Sequence, residues 1–177
     1  MVFAHLPKSL KAYPELRNFV KLEICHAILE SFPETEAVAG VATGAIAQGA
    51  LVAEELNLPF VYVRSKPKDH GLENLIEGEL KPGMKVVVIE DLVSTGSSSL
   101  KAVEAIRRDG CEVVGMIASY TYGFPVAEEA FKKANVKLVT LTDYDHVVSQ
   151  ALDTGYINNE DVAVLHKWRK DPAHWNE

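Results

Sequence analysis

Residues 85–98 read KVVVIEDLVSTGSS and carry the clearest structural signal in the chain. Four consecutive apolar residues within 85–90 predict a strand that is buried on both faces. Two acids end this predicted strand, and a loop rich in serine and glycine is expected over 91–97. A helix is expected over about 98–109, with Gly110 just beyond its carboxyl end, where glycine is favoured. The segment therefore predicts a strand, a loop and a helix in succession.

Further strands and helices alternate on both sides of this segment. Strands are expected at 36–41, 59–64, 112–121 and 136–141, with a short strand or hairpin at Leu75 and Ile76. Helices are expected at 14–32, 45–57, 125–134, 144–152 and 159–169. This alternation predicts an α/β fold with a mostly parallel central sheet flanked by helices. Ligands bind beyond the carboxyl ends of such strands, so chemistry is expected in the loops after residues 41, 64 and 90.

The composition predicts one globular domain over residues 1–177. The net charge is −7, which disfavours a general nucleic-acid binder, because phosphate binding needs a positive surface. Cys25 and Cys111 are the only cysteines and do not resemble a secreted disulfide framework, so a cytoplasmic location is expected. No apolar run approaches the roughly 20 residues of a membrane span, and the start has no signal-peptide core. Neither nucleic acid nor membrane is an expected partner.

The turn after the central strand suits a sugar phosphate. Small residues at the start of a helix can direct backbone N–H groups towards one phosphate, and the helix dipole adds positive charge. Glu90 and Asp91 would repel that phosphate but suit vicinal hydroxyls or a divalent cation. Ribose 5-phosphate is a ligand that carries both a phosphate group and vicinal hydroxyls. The alternative is a structural turn in which Ser98 or Ser99 is only a helix cap.

A basic segment follows the strand at 59–64. Arg64 precedes the polar stretch SKPKDHGL, residues 65–72, which we call the basic loop. Such charge runs are often solvated surfaces. Pro67 and Gly71 nevertheless favour a loop that can close over an anion, and arginine and lysine are the side chains that bind phosphate oxygens. Pyrophosphate is the anion expected beside a ribose phosphate.

These segments together resemble one enzyme family. The run from Val86 to Ser98 resembles the 5-phosphoribosyl 1-diphosphate (PRPP) motif of type I phosphoribosyltransferases. The basic loop resembles the catalytic flexible loop of the orotate phosphoribosyltransferases, although many members have lysine where this chain has Ser65. Residues 40–46 resemble the family's pyrophosphate loop, with Ala42, Thr43 and Gly44 at its turn, although this chain lacks the lysine that some members carry there. The resemblance covers roughly residues 13–155.

The resemblance implies a glycosyltransferase in pyrimidine biosynthesis, converting orotate and PRPP to orotidine 5′-monophosphate and pyrophosphate, with Mg²⁺ carried by PRPP. It implies catalytic roles for Lys68, Asp91 and Glu90, with Lys68 as the main catalytic charge, and it places Ser94 near orotate. The PRPP contacts that it implies are Arg64, Lys66, Lys68, His70, Glu90, Asp91, Leu92, Val93, Ser94, Thr95, Gly96, Ser97 and Ser98. It also implies a homodimer in which the 65–72 loop crosses to the partner's site.

The amino-terminal segment departs from the family pattern. Orotate enzymes carry a longer segment before the first core helix, part of which forms a hood over the base. Residues 1–12 hold a degenerate remnant at best. A reduced hood, a sequence that starts within the hood, or a different base would each account for this departure. A phosphoribosyltransferase for another nucleobase, a non-catalytic PRPP-binding regulator and an inactive homologue therefore remain alternatives.

Overall fold

The computed structural model describes residues 12–65, 75–172 and 174–175. The helices in this part of the chain are α1 (Pro14–Ser31), α2 (Ile46–Leu56), α3 (Ser97–Arg108), α4 (Pro125–Lys133), α5 (Tyr144–Asp153) and α6 (Asn159–Lys170). The strands are β1 (Ala37–Val41), β2 (Phe60–Val63), β3 (Ile76–Glu77), β4 (Lys85–Val93), β5 (Glu112–Thr121) and β6 (Leu138–Asp143). The predicted alternation of strands and helices is confirmed.

The six strands form one sheet in the order β3-β2-β1-β4-β5-β6. β1 pairs in parallel with both β2 and β4, and β4 pairs in parallel with β5. The short strand β3 runs antiparallel to β2. The predicted mostly parallel sheet is thus confirmed, and the carboxyl ends of β1, β2 and β4 lie at the same edge.

β4 is buried on both faces, as its apolar run predicts. Val86 and Val88 pack with α3 in one apolar cluster, whereas Val87 and Ile89 pack with α1 and α2 in another. All four side chains are 0% exposed. The strand is therefore held in the centre of the sheet by two independent cores, which fixes the position of the loop that follows it.

The prediction that β4 ends at the two acids is wrong. The strand continues to Val93, and its last residues pair with β5, Leu92 opposite Tyr120 and Val93 opposite Thr121. Ladder hydrogen bonds use the backbone, so acidic side chains do not end a strand whose neighbour still offers partners. Since β5 has 10 residues, it offers those partners. The two acids consequently lie within the strand.

The described chain divides into two compact units between Leu141 and Thr142. In the second unit Tyr144 is 0% exposed and stacks on Trp168 with 5.8 Å between the ring centroids. The Tyr144 hydroxyl donates a hydrogen bond of 2.9 Å to the carbonyl of Leu165. These aromatic side chains join α5 to α6 by packing.

Both cysteines are free and buried in the first unit. Burial raises the pKa of the Cys25 thiol and, with a smaller contribution from Asp109, that of the Cys111 thiol. None of the helices in the described ranges is long and apolar enough to span a membrane.

Candidate active site

Three loops meet around a cavity of about 480 Å³ at the carboxyl edge of the sheet. They follow β1, β2 and β4, and each was expected to carry chemistry. The loop residues in the lining are Ala42, Arg64, Ser65, Thr95, Ser97 and Ser98, and α3 adds Lys101, Glu104 and Arg108. The sheet order β2-β1-β4 explains this convergence, because adjacent parallel strands end side by side.

The segment Ser94–Ser98, here called the phosphate loop, turns from β4 into α3. Gly96 occupies the cap position with a φ of 79°, a left-handed conformation that favours glycine. A Cβ at this position would lie 2.8 Å from the Phe131 ring, so space also excludes a side chain. The alternative in which Ser98 or Ser99 is the helix cap is wrong, because both lie inside the helix.

The start of α3 has the properties of an anion site. The cap residue Gly96 gives the helix no side-chain cap hydrogen bond. The N–H groups of the first helical turn have no partner further back in the helix and can donate to an external oxygen. Ser97 and Ser98 are exposed and line the cavity beside them. Backbone and hydroxyl donors thus lie at one end of the cavity.

Glu90 is only 4% exposed, and its carboxyl group is occupied. Its Oε2 accepts a hydrogen bond of 2.8 Å from the Ser99 hydroxyl, and its Oε1 accepts one of 3.1 Å from the Asp91 N–H. Burial raises the pKa of this carboxyl group to about 8; the Ser99 hydroxyl opposes that shift, and the Asp91 carboxylate adds to it. Glu90 therefore faces the first turn of α3.

Asp91 lies against a different element, the turn after β1. A Cβ on Gly44 would be 2.0 Å from Asp91 Oδ2, so this carboxylate occupies the space that a side chain at position 44 would need. The same turn contains a cis peptide bond between Ala42 and Thr43. The structure thus brings Asp91 next to the turn whose residues resemble a pyrophosphate loop. Glu90, Asp91 and Ser94 lie outside the lining of the cavity.

Leu92 and Val93 occupy the last positions of β4. The Val93 side chain is 0% exposed and belongs to the core. Its carbonyl oxygen accepts hydrogen bonds from the Tyr122 N–H at 3.1 Å and from the Thr121 hydroxyl at 3.3 Å. Any contact of Val93 with a ligand would therefore have to use its backbone, while the side chain holds the loop on the sheet.

Arg64 follows β2 and lines the cavity. Its Nη1 lies 3.3 Å from Oε1 of Glu77 on β3, and its N–H donates to the carbonyl of Leu75 at 2.8 Å. These contacts join the end of β2 to the chain at Leu75 and Glu77. The predicted residues Lys66, Lys68 and His70 lie outside the described residues, so their roles stay predictions.

Lys101 was not predicted from the sequence, although it lines the cavity together with three residues of the phosphate loop. It lies four residues after Ser97, one helical turn further along the same face of α3. That spacing is the signal that could have identified it. The resemblance to the PRPP motif ends at Ser98 and therefore does not include Lys101.

Comparisons with known proteins agree on one family. The family model described as the phosphoribosyl transferase domain matches residues 23–154. An orotate phosphoribosyltransferase of Phocaeicola vulgatus is 78% identical over 93% of this chain and 77% of its own length. One of Bacteroides thetaiotaomicron is 76% identical over 93% of this chain and 78% of its own. The crystal structure of the Aeropyrum pernix orotate phosphoribosyltransferase, 27% identical, covers 85% of this chain and 82% of its own with a TM-score of 0.71.

Proposed function

Because the chain belongs to the orotate phosphoribosyltransferase family, we propose that it transfers ribose 5-phosphate from PRPP to orotate, giving orotidine 5′-monophosphate and pyrophosphate. The observation that carries this proposal is the 78% identity to an orotate phosphoribosyltransferase over 93% of the chain. The cavity beside the phosphate loop supports it, since it gathers residues from three of the segments that resemble the family's PRPP-binding loops.

The 5′-phosphate of PRPP binds at the phosphate loop. The backbone N–H groups at the start of α3 donate to its oxygens, and the hydroxyls of Thr95, Ser97 and Ser98 add further donors. The positive end of the helix dipole favours the anion at this position. Asp91 accepts hydrogen bonds from the ribose hydroxyls, a role that the family resemblance also implies for Glu90.

Pyrophosphate leaves on the other side of the ribose. Its oxygens lie against the turn of Ala42, Thr43 and Gly44 and against the cations Arg64, Lys66 and Lys68, with His70 beside them. Positive charge grows on the ribose as the bond to pyrophosphate loosens, while negative charge grows on the leaving group. Fixed cations around the leaving group stabilise that separation, and Lys68 contributes most.

Mg²⁺ would be held by the diphosphate of PRPP, where it would neutralise part of the negative charge. In the described ranges, no three His, Cys, Asp or Glu side chains form a group that could hold a metal ion. Mg²⁺ commonly keeps several waters and binds through substrate phosphates and one or two carboxylates rather than in a protein cage. The oxygen donors near the phosphate loop are compatible with that mode.

The base lies near Ser94, on the opposite side of the ribose from the leaving pyrophosphate. The amino-terminal residues 1–11, where the family's hood would be sought, lie outside the described residues. The choice of orotate over another base therefore rests on the similarity to orotate phosphoribosyltransferases. Cytoplasmic location and dimeric assembly are further parts of the proposal.

The test is to incubate the protein with PRPP, Mg²⁺ and orotate and to follow the loss of orotate absorbance. We expect orotate to be consumed only when PRPP is present, with pyrophosphate released in equal amount. Uracil, adenine and guanine in place of orotate are the matched controls. Turnover of one of these bases, but not of orotate, would contradict the proposed substrate, and absence of any turnover would contradict the proposed reaction.

A further inference from the structure

Ser99 is a buried polar residue to which the proposed reaction gives no role. Its side chain is 1% exposed, although serine is normally a surface residue. A buried hydroxyl needs a hydrogen-bond partner, and the partner here is Glu90 Oε2 at 2.8 Å. Ser99 is the third residue of α3, directly after the phosphate loop.

Glu90 connects β4 to the helix residue that follows that loop. Its Oε1 accepts from the N–H of Asp91 on β4, at 3.1 Å. Its Oε2 accepts from the Ser99 hydroxyl on α3. The hydrogen bond to Ser99 therefore joins β4, which precedes Ser94–Ser98, to the helix residue that follows this loop, and Glu90 is only 4% exposed there.

From these contacts we infer that Ser99 is a positioning residue which, through Glu90, fixes the phosphate loop in the geometry that binds the 5′-phosphate of PRPP. The first-turn N–H groups converge on one point only if the start of α3 keeps its place relative to the end of β4. The inference rests on the proposed function, because it concerns the same substrate. It assigns Ser99 no contact with PRPP.

The test uses Ser99→Ala, which removes the hydroxyl and adds no atoms. Isothermal titration with ribose 5-phosphate measures binding of the sugar phosphate, without Mg²⁺, orotate or turnover. We expect the Kd to rise about fivefold, the size expected for the loss of one hydrogen bond between neutral groups. In the assay, the KM for PRPP should rise by a similar factor while kcat at saturating PRPP changes less than about twofold.

The matched control is Thr35→Val, which removes a hydroxyl that donates at 2.7 Å to the Phe32 carbonyl, beyond the other end of β1. Its Kd for ribose 5-phosphate should equal that of the unchanged protein. A general loss of stability would weaken binding in both variants. An unchanged Kd in Ser99→Ala, or an equal loss in Thr35→Val, would overturn the inference.

A second variant tests whether Ser99 acts through Glu90. Glu90→Gln should also weaken ribose 5-phosphate binding, and the double variant should bind more tightly than the sum of the two single effects predicts. Additive effects would overturn the inference. If the unchanged protein gave no heat with ribose 5-phosphate or PRPP, the proposed function itself would fail, which is a different outcome.

Discussion

The buried carboxyl group of Glu90 makes the stability of this protein depend on pH. The ordinary pKa of the Glu90 carboxyl group is 4.5, and burial raises it to about 8 in the folded chain. Between these values the folded state binds more protons than the unfolded state. The free energy of unfolding therefore falls as the pH rises through this window.

We expect Glu90→Gln to remove that dependence. Relative to this variant, the unchanged protein should lose on the order of 3 kcal/mol of unfolding free energy between pH 5 and pH 9. Urea unfolding at several pH values measures the difference. Glu112→Gln, which changes an exposed glutamate of β5, should keep the slope of the unchanged protein. Parallel curves for the unchanged protein and Glu90→Gln would show that Glu90 does not titrate in this range.

Gly44 is a second position at which the addition of a single carbon atom should change the activity. In Gly44→Ala the new methyl group would have to displace the Asp91 carboxylate, which lies 2.0 Å from the ideal Cβ position. A shift of about 1 Å in a group that orients the substrate can cost roughly 100-fold, so we expect kcat/KM for PRPP to fall by about that factor. Steady-state kinetics measures it.

Gly83→Ala is the control for this glycine substitution. Position 83 has a φ of 86°, and a Cβ there would meet no atom within 4 Å. The change should lower the unfolding free energy by about 1 kcal/mol, because alanine disfavours positive φ, and leave the kinetics intact. Normal kinetics in Gly44→Ala would mean that the place of Asp91 beside the turn is not needed for catalysis.

At the scale of secondary-structure elements, α3 contributes to the candidate site beyond its first turn. Lys101 lines the cavity beside Ser97 and Ser98 and is exposed. We expect Lys101→Ala to raise the KM for PRPP about fivefold with little change in kcat, because an exposed lysine binds phosphate as a point charge. The difference should shrink in high salt.

Lys81→Ala is the matched control for Lys101. Lys81 is also exposed but precedes β4, at the opposite end of the strand from the site. Kinetics at low and high ionic strength should separate the two variants. If both raised the KM equally, the effect would come from net charge and not from the position of Lys101.

The length of β4 shows what a local pattern can and cannot predict. The run Val86–Ile89 predicts a buried strand because burial on both faces requires apolar side chains at successive positions. The continuation to Val93 depends on pairing with β5, whose partner residues lie 28 positions further along the chain. The hydrogen bond from Ser99 to Glu90 depends on the position of α3 against the sheet. Neither contact leaves a local signal in the sequence.

At the scale of the molecule, the alternation of strands and helices was sufficient to predict the mostly parallel sheet and the edge at which the cavity lies. The separation of Glu90 from Asp91 was not predictable, since adjacent acids in a sequence suggest a shared role. The structure directs Glu90 to Ser99 and Asp91 to Gly44. The proposal of a single domain and the proposal of a homodimer remain predictions.

The proposed dimer can be tested by mixing two inactive variants. If the basic loop of one subunit completes the site of the other, Lys68→Ala damages the neighbour's site and Asp91→Asn damages its own. A mixed dimer would then hold one intact and one doubly damaged site. Since half of randomly mixed dimers are heterodimers, we expect about a quarter of normal activity after unfolding and refolding the two together.

Each variant refolded alone is the control and should stay nearly inactive. Lys68→Ala should lower kcat far more than it weakens PRPP binding, and unchanged turnover would contradict its catalytic role. A mixture no more active than its components would indicate that each loop serves its own subunit.

The burial of both native thiols has a practical consequence for spectroscopy. Cys25 is 3% exposed and Cys111 is 6% exposed, and in both the reactive thiolate is disfavoured by a raised pKa. Maleimide dyes should therefore label a cysteine introduced at exposed Ser65 in preference to either native residue. A fluorophore at that position would report on the rim of the cavity in an otherwise unaltered protein.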